Sequence, residues 1–328
     1  MIINKSRNDR VLIIDSLNTY LRIFSSSYHV TQDGNFVGGI VGFLRSIGSN
    51  IRDFNPTRCI LVFDGKGGSI RRRNIYPEYK GNRTGGHGMR MDLFQSVDEE
   101  KAEMRRQLIR IMQYVSHLPI EYFIVDNVEA DDVIAYLTMQ YFKPKGSKVR
   151  IVSTDRDFLQ LVDDDIEIYS PVKKKLYNLE SVKDEFNLTP LQYLTYRIVT
   201  GDTSDNINGI DGIGLKTLIK NFPEPNSIEQ LLEISEEKLK DKKPKQIFKN
   251  LIEQKDILVR NEKLMQLQET DISSITKLHL FERLENPKAS KSNIFQFRKM
   301  LFEDGITEFK NLENWFLTTF SGLNVWIT

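Results

Sequence analysis

Four short, mostly apolar runs mark the first half of the chain. They are Val11–Ile14, Cys59–Phe63, Tyr122–Val125 and Val149–Val152. Runs of this length are typical of strands buried on both faces of a parallel sheet. Between them, Ile40–Phe54 and Lys101–His117 repeat apolar residues at helical spacing. The pattern predicts an α/β fold in which strands and helices alternate and helices cover both faces of the sheet.

The apolar pattern changes in the second half of the chain. Ile166–Tyr169 predicts a fifth strand, which leads into a hairpin through Lys173–Lys175 and Leu176–Tyr177,. After Thr189 the pattern is mostly helical. We therefore divide the chain into an α/β core over residues 1–188, a helical unit over 189–261 and a C-terminal helical segment over 262–328.

Composition narrows the class of protein. The chain has 328 residues, of which 40% are hydrophobic and 28% charged, with a net charge of +1. No apolar run approaches the ~18 residues of a membrane span, and no leader peptide is visible. Cys59 is the only cysteine, which excludes an intrachain disulfide and a cysteine-based zinc site. We expect a cytoplasmic, monomeric protein that does not associate with membranes.

Acidic side chains follow three of the predicted strands directly. Asp15 follows the first strand, Asp64 the second, and Asp155 and Asp157 follow Val149–Val152. Open parallel sheets bind ligands beyond the carboxyl ends of their strands. The sequence therefore predicts that these carboxylates meet at one edge of the sheet.

Two further acidic groups lie close to predicted helix ends. Glu129, Asp131 and Asp132 fall in the first turn of a helix, where capping alone would also explain a carboxylate,. Asp202 and Asp205 are three residues apart, which places them on one face of a turn, although an Asx-rich loop would have the same composition,.

Nine carboxylates at one site would repel each other unless cations offset their charge. All-oxygen ligands without nearby His or Cys favour Mg²⁺, with Mn²⁺ as a substitute. Two such ions ~3.5–4 Å apart suit phosphodiester hydrolysis. The predicted ligands are Asp15, Asp64, Glu129, Asp131, Asp132, Asp155, Asp157, Asp202 and Asp205.

Two segments have the residue types that bind phosphates. Residues 206–217 hold glycines between two helical stretches, which fits a helix–hairpin–helix better than a dinucleotide-binding turn,. Residues 71–83 are basic and follow the Asp64 strand, although a solvated basic face is the simpler explanation,. The predicted DNA contacts are Arg71, Arg72, Arg73, Lys80, Arg83, Gly209, Gly212, Gly214, Lys216 and Thr217.

Five motifs occur in the order found in 5′-nucleases. They are Phe63–Gly65, Pro77–Arg83 (PEYKGNR), Val128–Asp132 (VEADD), Ser153–Phe158 (STDRDF) and Gly201–Gly214 (GDTSDNINGIDGIG). From about Val11 to Asn261 the chain resembles the superfamily of flap endonucleases and 5′→3′ exonucleases, and it looks like a free-standing phage-type enzyme. The resemblance implies a PIN-like core, a helical arch over about residues 70–110 and a helix–hairpin–helix (H3TH) subdomain.

The resemblance also implies roles for matching residues. Asp15, Asp64, Glu129 and Asp131 would hold one metal ion, and the other five carboxylates a second. Lys80 and Arg83 would contact the scissile phosphate, so that the catalytic set is Lys80, Arg83, Asp15, Asp64 and Asp155. Residues 209–214 would bind the duplex and a K⁺ ion.

The implied substrates are flapped, nicked or RNA-primed duplex DNA, with RNase H activity on RNA–DNA hybrids and a role in primer removal during replication. The C-terminal segment would bind a single-strand-binding protein. Two alternatives remain: a PIN-like ribonuclease, and a DNA-binding module without catalysis whose carboxylates only cap helices.

Overall fold

A six-stranded sheet organises the larger part of the protein, of which the computed structural model describes residues 6–82 and 90–327. Its strands are β1 Arg10–Asp15, β2 Arg58–Asp64, β3 Glu121–Val125, β4 Lys148–Val152, β5 Ile166–Ser170 and β6 Lys175–Tyr177. The strand order is β3-β2-β1-β4-β5-β6. The first five strands are parallel and β6 pairs antiparallel with β5, so the predicted strands and hairpin are confirmed.

Helices cover both faces of this sheet. They are α1 Ser16–Ser26, α2 Gly38–Phe54, α3 Ile70–Ile75, α4 Val97–Val115, α5 Ala130–Ala135 and α6 Leu179–Phe186. The start of α4 shows why a helix forms there: Ser96 accepts a hydrogen bond from the Glu99 amide at 3.1 Å, and three acidic residues occupy the first turn,. The predicted α/β class is confirmed.

Alternation along the strands separates two apolar layers. Val11 and Ile13 of β1 face a layer that includes α5 and most of the helical unit. Leu12 and Ile14 face the opposite layer, which is formed by α1, α2 and α4. Because successive side chains of a strand point to opposite faces, a run that is apolar at every position serves both layers.

The helical unit begins at α7 and carries a very short hairpin. Its elements are α7 Pro190–Thr200, β7 Gly201–Asp202, β8 Ile207–Asn208, α8 Leu215–Asn221, α9 Ile228–Lys238, α10 Gln246–Glu253 and α11 Lys255–Met265. Asn261 in α11 is fully buried and donates hydrogen bonds to the carbonyls of Ile198 and Asn208, both at 2.9 Å. This amide therefore fixes the hairpin against α7.

The C-terminal helices are α12 Ser274–Glu285, α13 Ile294–Glu303 and α14 Leu312–Asn324. Helix α12 contributes to the layer around α5, whereas the aromatic residues of α13 and α14, such as Phe297 and Phe316, join the layer of α2 and α4. A Cβ atom on Gly48 of α2 would lie 2.8 Å from the Trp315 ring, so this glycine permits the close contact between α2 and α14,.

The predicted arch, over about residues 70–110, includes α3, the segment that follows it and most of α4. Its central residues 83–89, which include Arg83, lie outside the described residues. In the part of the chain that is described, no helix is long and apolar enough to cross a membrane.

Candidate functional site

Carboxylates from three adjacent strands lie at the C-terminal edge of the sheet. Asp15 ends β1 and is 4% exposed; its carboxylate accepts a hydrogen bond from Ser153 Oγ at 2.7 Å. Asp64 ends β2 and accepts a hydrogen bond from the Ala130 amide at 3.0 Å. Asp155 follows β4, and its carboxylate accepts a hydrogen bond from the amide of Asp157 at 2.8 Å. Because β2, β1 and β4 are neighbours, these acids share one edge.

Asp131 joins these three acids from the first turn of α5. Burial and the charges of Asp155 and Asp15 raise the pKa of Asp131 well above its usual value. Burial raises the pKa of Asp15 to about 7, an effect that the Ser153 hydrogen bond opposes and the charges of Asp64 and Asp155 reinforce. We call Asp15, Asp64, Asp131 and Asp155 the edge carboxylates.

The charge of the edge carboxylates is only partly offset by the described residues: Lys80 opposes the rise in the pKa values of Asp131 and Asp155. Among the described residues, none of the four forms an ion pair with Lys, Arg or His. The side chains are not drawn together into a ligand shell: in residues 6–82 and 90–327 no group of three or more His, Cys, Asp or Glu is arranged to hold a metal ion. The donor set nevertheless fits a hard divalent cation, because it is all oxygen and forms no ion pair with a described residue,.

Glu129 and Asp132 belong to a different network, which is centred on Arg72. The Arg72 guanidinium donates to Glu129 at 2.5 Å and to both carboxylate oxygens of Asp132 at 2.6 and 3.0 Å. Its Nε donates to the carbonyl of Leu264 in α11 at 2.8 Å. The Tyr79 hydroxyl also donates to Glu129, at 3.1 Å. The network therefore joins α3, α5 and α11.

This network corrects one prediction. Arg72 is 4% exposed and all of its nitrogen atoms donate within the protein, so it is an internal counter-ion and not a surface contact for DNA. Burial opposes the charge of Arg72, but Asp132 and Glu129 outweigh burial and raise the pKa of Arg72. Arg72 thus offsets the charge of Glu129 and Asp132, whereas no edge carboxylate forms an ion pair with a described residue.

The other predicted basic contacts lie in different environments. Arg71 donates hydrogen bonds to the carbonyls of Asp271 and Lys263, at 3.3 and 3.4 Å. Arg73 is exposed, and within the described ranges it donates no hydrogen bond. Lys80 donates to Glu129 at 2.8 Å. Burial opposes the charge of Lys80, but Glu129, Asp205 and Asp131 raise its pKa, so its ammonium group lies within the field of the site.

A second pair of acids lies beside the edge carboxylates. One nitrogen atom of Arg197, in the last turn of α7, donates to Asp157 at 2.9 Å and also to Asp202. Burial raises the pKa of Asp157 to about 7, with a further increase from Asp155, although Arg197 opposes it. Burial would also raise the pKa of Asp202, but hydrogen bonds from Ser204 and the charge of Arg197 outweigh it and lower that pKa.

Three hydrogen bonds join the segment Glu78–Asn82 to the loop that carries Asp205. The Lys80 amide donates to the Asp205 carbonyl at 2.8 Å, and the Asn82 side chain donates to the Thr203 carbonyl at 2.8 Å. In the reverse direction, the Asn206 side chain donates to the Glu78 carbonyl at 2.9 Å. We call this set the base latch. It fixes Lys80 relative to the second acid pair.

The predicted helix–hairpin–helix turn lies between β8 and α8. A Cβ atom on Gly209 would lie 2.3 Å from the backbone of Thr200, so only glycine fits against the end of α7,. Gly212 has a positive φ of 73° and an open surrounding, and the N-cap of α8 is Gly214. Lys216 and Thr217 are exposed in the first turn of α8. The turn therefore presents its backbone and these two side chains to solvent.

Sequence reasoning missed three residues of the site. Arg197, Tyr79 and Asn206 each hold a predicted functional residue or its loop in place. Arg197 had a weak signal, since it lies five residues before Asp202 near the end of a predicted helix. The other two contacts join segments more than 45 residues apart, at separations of 50 and 128 residues, which no local pattern indicates.

A parallel α/β core with carboxylates at its C-terminal edge, followed by a helical domain, defines the PIN-like class of proteins. The chain belongs to the 5′-3′ exonuclease family. The family model for the N-terminal resolvase-like domain matches residues 10–187, and the model for the C-terminal SAM fold matches residues 188–287. The resemblance found from the motifs is thereby confirmed.

Two relatives illustrate the range of the family. A 5′-3′ exonuclease of Aquifex aeolicus is 32% identical over 202 residues, which cover 62% of this chain and 64% of that protein. A thermostable DNA polymerase I of Thermus thermophilus is 32% identical over 224 residues, which cover 68% of this chain and 25% of the polymerase. The matches thus span less than two thirds of the length of either relative.

Solved structures share the fold at low sequence identity. The D15 flap endonuclease of bacteriophage T5, in a complex with DNA and metal ions, has a TM-score of 0.64 at 22% identity and covers 90% of this chain and 99% of that chain. Human GEN1 in complex with Holliday junction DNA has a TM-score of 0.51 at 14% identity and covers 90% of this chain and 67% of that one.

Proposed function

We propose that this protein is a divalent-metal-dependent 5′-nuclease that hydrolyses phosphodiester bonds in flapped, nicked or RNA-primed duplex DNA. The observation that carries the proposal is the edge carboxylates, which lie together without an ion pair to a described residue and next to Lys80. A polyanionic substrate would be repelled by such an edge unless cations were bound there. Membership of the 5′-3′ exonuclease family supports the same function.

The edge carboxylates would hold a first Mg²⁺ or Mn²⁺ ion, and Asp155, Asp157, Asp202 and Asp205 would hold a second. Glu129 and Asp132 would instead keep Arg72 and Lys80 in place. When bound, such ions lower the pKa of a water molecule and offset charge on the phosphate. The T5 neighbour was crystallised with metal ions, which supports the proposal that metal ions bind here.

The protein's own residues would bind and orient the DNA. The exposed turn at Gly212 and Gly214 would approach a duplex phosphate through its backbone, with Lys216 and Thr217 beside it. A K⁺ ion at this turn stays a prediction. Lys80 would offset negative charge on the scissile phosphate. Arg83 would share that task, although it lies outside the described residues. A single-strand-binding protein as partner of the C-terminal helices also stays a prediction.

One cleavage assay tests the proposal. Labelled duplexes that carry a 5′ flap, a nick or an RNA primer are incubated with the protein in Mg²⁺ or in EDTA, and the products are sized on a gel. We expect 5′-phosphorylated mono- and oligonucleotides in Mg²⁺ only. A PIN-like ribonuclease would cleave unstructured single-stranded RNA in preference to flapped DNA, and a DNA-binding module would cleave neither.

Stability should depend on pH and on divalent cations together. The folded-state pKa values of Asp15 and Asp157, about 7, exceed their ordinary value of 3.8. At pH values between about 4 and 7, the folded state binds more protons than the unfolded chain. Without cations, the free energy of unfolding therefore falls as the pH rises through this range. Mg²⁺ at a hundred times its Kd would restore about 2.7 kcal/mol once the acids are ionised.

The corresponding measurement compares melting temperatures in EDTA and in Mg²⁺ at pH 5 and at pH 8. We expect Mg²⁺ to raise the melting temperature at pH 8 by at least about 3 °C more than at pH 5. Asp15→Asn should reduce this difference. An equal effect of Mg²⁺ at both pH values would contradict the assignment of the raised pKa values to cation ligands.

The base latch should influence turnover more than binding. Asn206 has a positive φ of 58°, so Asn206→Gly removes the side-chain amide without backbone strain,. Because Lys80 would then lose part of its alignment with the acid pair, we expect the turnover number on flapped DNA to fall about tenfold. The Kd for duplex DNA in Ca²⁺ should stay within about threefold.

Asn187→Gly is the matched control, since Asn187 also has a positive φ, of 57°, but ends α6 and takes no part in the base latch. Its turnover number should equal that of the unmodified protein. If both glycine variants lost turnover equally, general loosening of the chain would be the cause and not the latch.

A further inference from the structure

Arg197 joins two acids that come from different parts of the chain. Asp157 begins the 3₁₀ turn after β4, and Asp202 ends the short strand β7. A single nitrogen atom, Nη2 of Arg197, donates to both carboxylates, at 2.9 Å in the case of Asp157. The guanidinium therefore lies where its positive charge offsets both acids.

Arg197 and Arg72 are held very differently. Every nitrogen atom of Arg72 donates a hydrogen bond, and its side chain is 4% exposed. In the described residues Arg197 donates only through Nη2; its buried Nε has no partner, and its side chain is 25% exposed. Arg72 is therefore held by hydrogen bonds from every nitrogen atom. Arg197 is held mainly by its electrostatic attraction to Asp157 and Asp202.

A divalent cation could compete with Arg197 for its two carboxylate partners. A divalent cation bound by Asp157 and Asp202 would use the same carboxylate oxygens, and its charge would repel a guanidinium that stayed in hydrogen-bond contact. Arg197 lies on the last turn of α7 and has solvent on one side, so its long side chain can move away without unfolding the helix.

We propose that Arg197 is a displaceable counter-ion that holds Asp157 and Asp202 together until a second divalent cation takes its place. The inference rests on the proposed function, because it concerns the second of the two cations assigned above. Its consequence is that the edge carboxylates bind their cation first, while the second site fills only at a higher cation concentration.

Titration of the protein with Mn²⁺ in the absence of DNA tests this inference. Electron paramagnetic resonance at pH 8 measures the free Mn²⁺ and hence the number and affinity of the bound ions. For the unmodified protein we expect one tighter and one weaker site. In Arg197→Gln the weaker site should bind at least about tenfold more tightly, a change at the lower end of what a charged hydrogen bond contributes. The tighter site should change less than about twofold.

Two further variants separate charge from geometry. Arg197→Lys keeps the positive charge, so its weaker site should stay within about threefold of the unmodified protein. Arg156→Gln is the control for the loss of a nearby charge: Arg156 lies between Asp155 and Asp157 in sequence but is exposed and donates no hydrogen bond to a described residue. It should leave both Mn²⁺ sites unchanged. If Arg197→Gln does not fold, Arg197→Met, which keeps the unbranched apolar stem of the side chain without its charge, replaces it.

The outcomes separate this inference from the proposed function. Two sites whose affinities do not change in Arg197→Gln, or a weaker site that binds less tightly, would overturn the role of Arg197 and leave the nuclease assignment intact. An equal gain in Arg156→Gln would also overturn it, because the effect would then be a general one of charge. A protein that binds no Mn²⁺ at all would contradict the proposed function itself.

Discussion

Asparagine in place of Asp155 is expected to lower the rate of cleavage of 5′-flapped DNA by at least about a thousandfold. Asp155 lies between the two acid groups: its charge raises the pKa values of Asp15 and Asp131 on one side and of Asp157 on the other. An uncharged amide at this position would weaken both proposed cation sites. A bound cation contributes several kcal/mol to the transition state, and about 4 kcal/mol corresponds to a thousandfold change in rate.

The measurement is a single-turnover cleavage rate at saturating protein in Mg²⁺, together with the Kd for the same duplex in Ca²⁺. The Kd should change by less than about threefold, because the exposed turn at Gly212 and the basic side chains that would bind the duplex are untouched. Asp164→Asn is a suitable control, since Asp164 is an exposed acid in the turn before β5. Cleavage by Asp155→Asn at the unmodified rate would remove the basis of the proposed function.

Alanine in place of Arg72 is expected to lower the free energy of unfolding by about 3–5 kcal/mol at pH 7, because it leaves the buried Asp132 without a cation and Glu129 with Lys80 alone,. The loss should be smaller at low pH. Burial opposes ionisation of Glu129, yet Arg72 and Lys80 outweigh burial and lower its pKa, so the stabilisation is present above the unfolded-state pKa and is lost as the pH falls through the folded-state value,.

Urea denaturation at pH 7 and at pH 4 measures this difference. Arg73→Ala provides the control in the same helix, because Arg73 is exposed and should change the free energy of unfolding by less than about 0.5 kcal/mol,. Equal losses in the two variants at pH 7 would show that helix α3, and not the buried ion pairs, is responsible.

The existence of buried parallel strands followed directly from the apolar runs. Val11–Ile14 is apolar at every position because both faces of β1 are covered; Val149–Val152 is apolar except for Arg150, and the structure places β1 and β4 side by side. The acids that end such strands then had to share an edge. This part of the site needed no knowledge of which helix packs where.

The counter-ions could not be found in the same way. Arg72 belongs to a run of three arginines, and nothing in that run distinguishes the buried member from its neighbours. Which arginine is buried depends on how α3 packs against α5 and α11, since only the middle arginine reaches Asp132 and the Leu264 carbonyl. The sequence therefore predicted a basic segment, but it did not predict which of the three arginines is buried.

The packing of α13 and α14 limits where the chain can be truncated. The matched family regions end at residue 287, before α13 and α14, yet Phe297, Phe316 and Phe320 complete the apolar layer over α2 and α4. A fragment that stopped at residue 287 would keep every proposed catalytic side chain and lose the cover of one face of its core. We therefore expect the cooperative folding unit to be larger than the region that the two family models match.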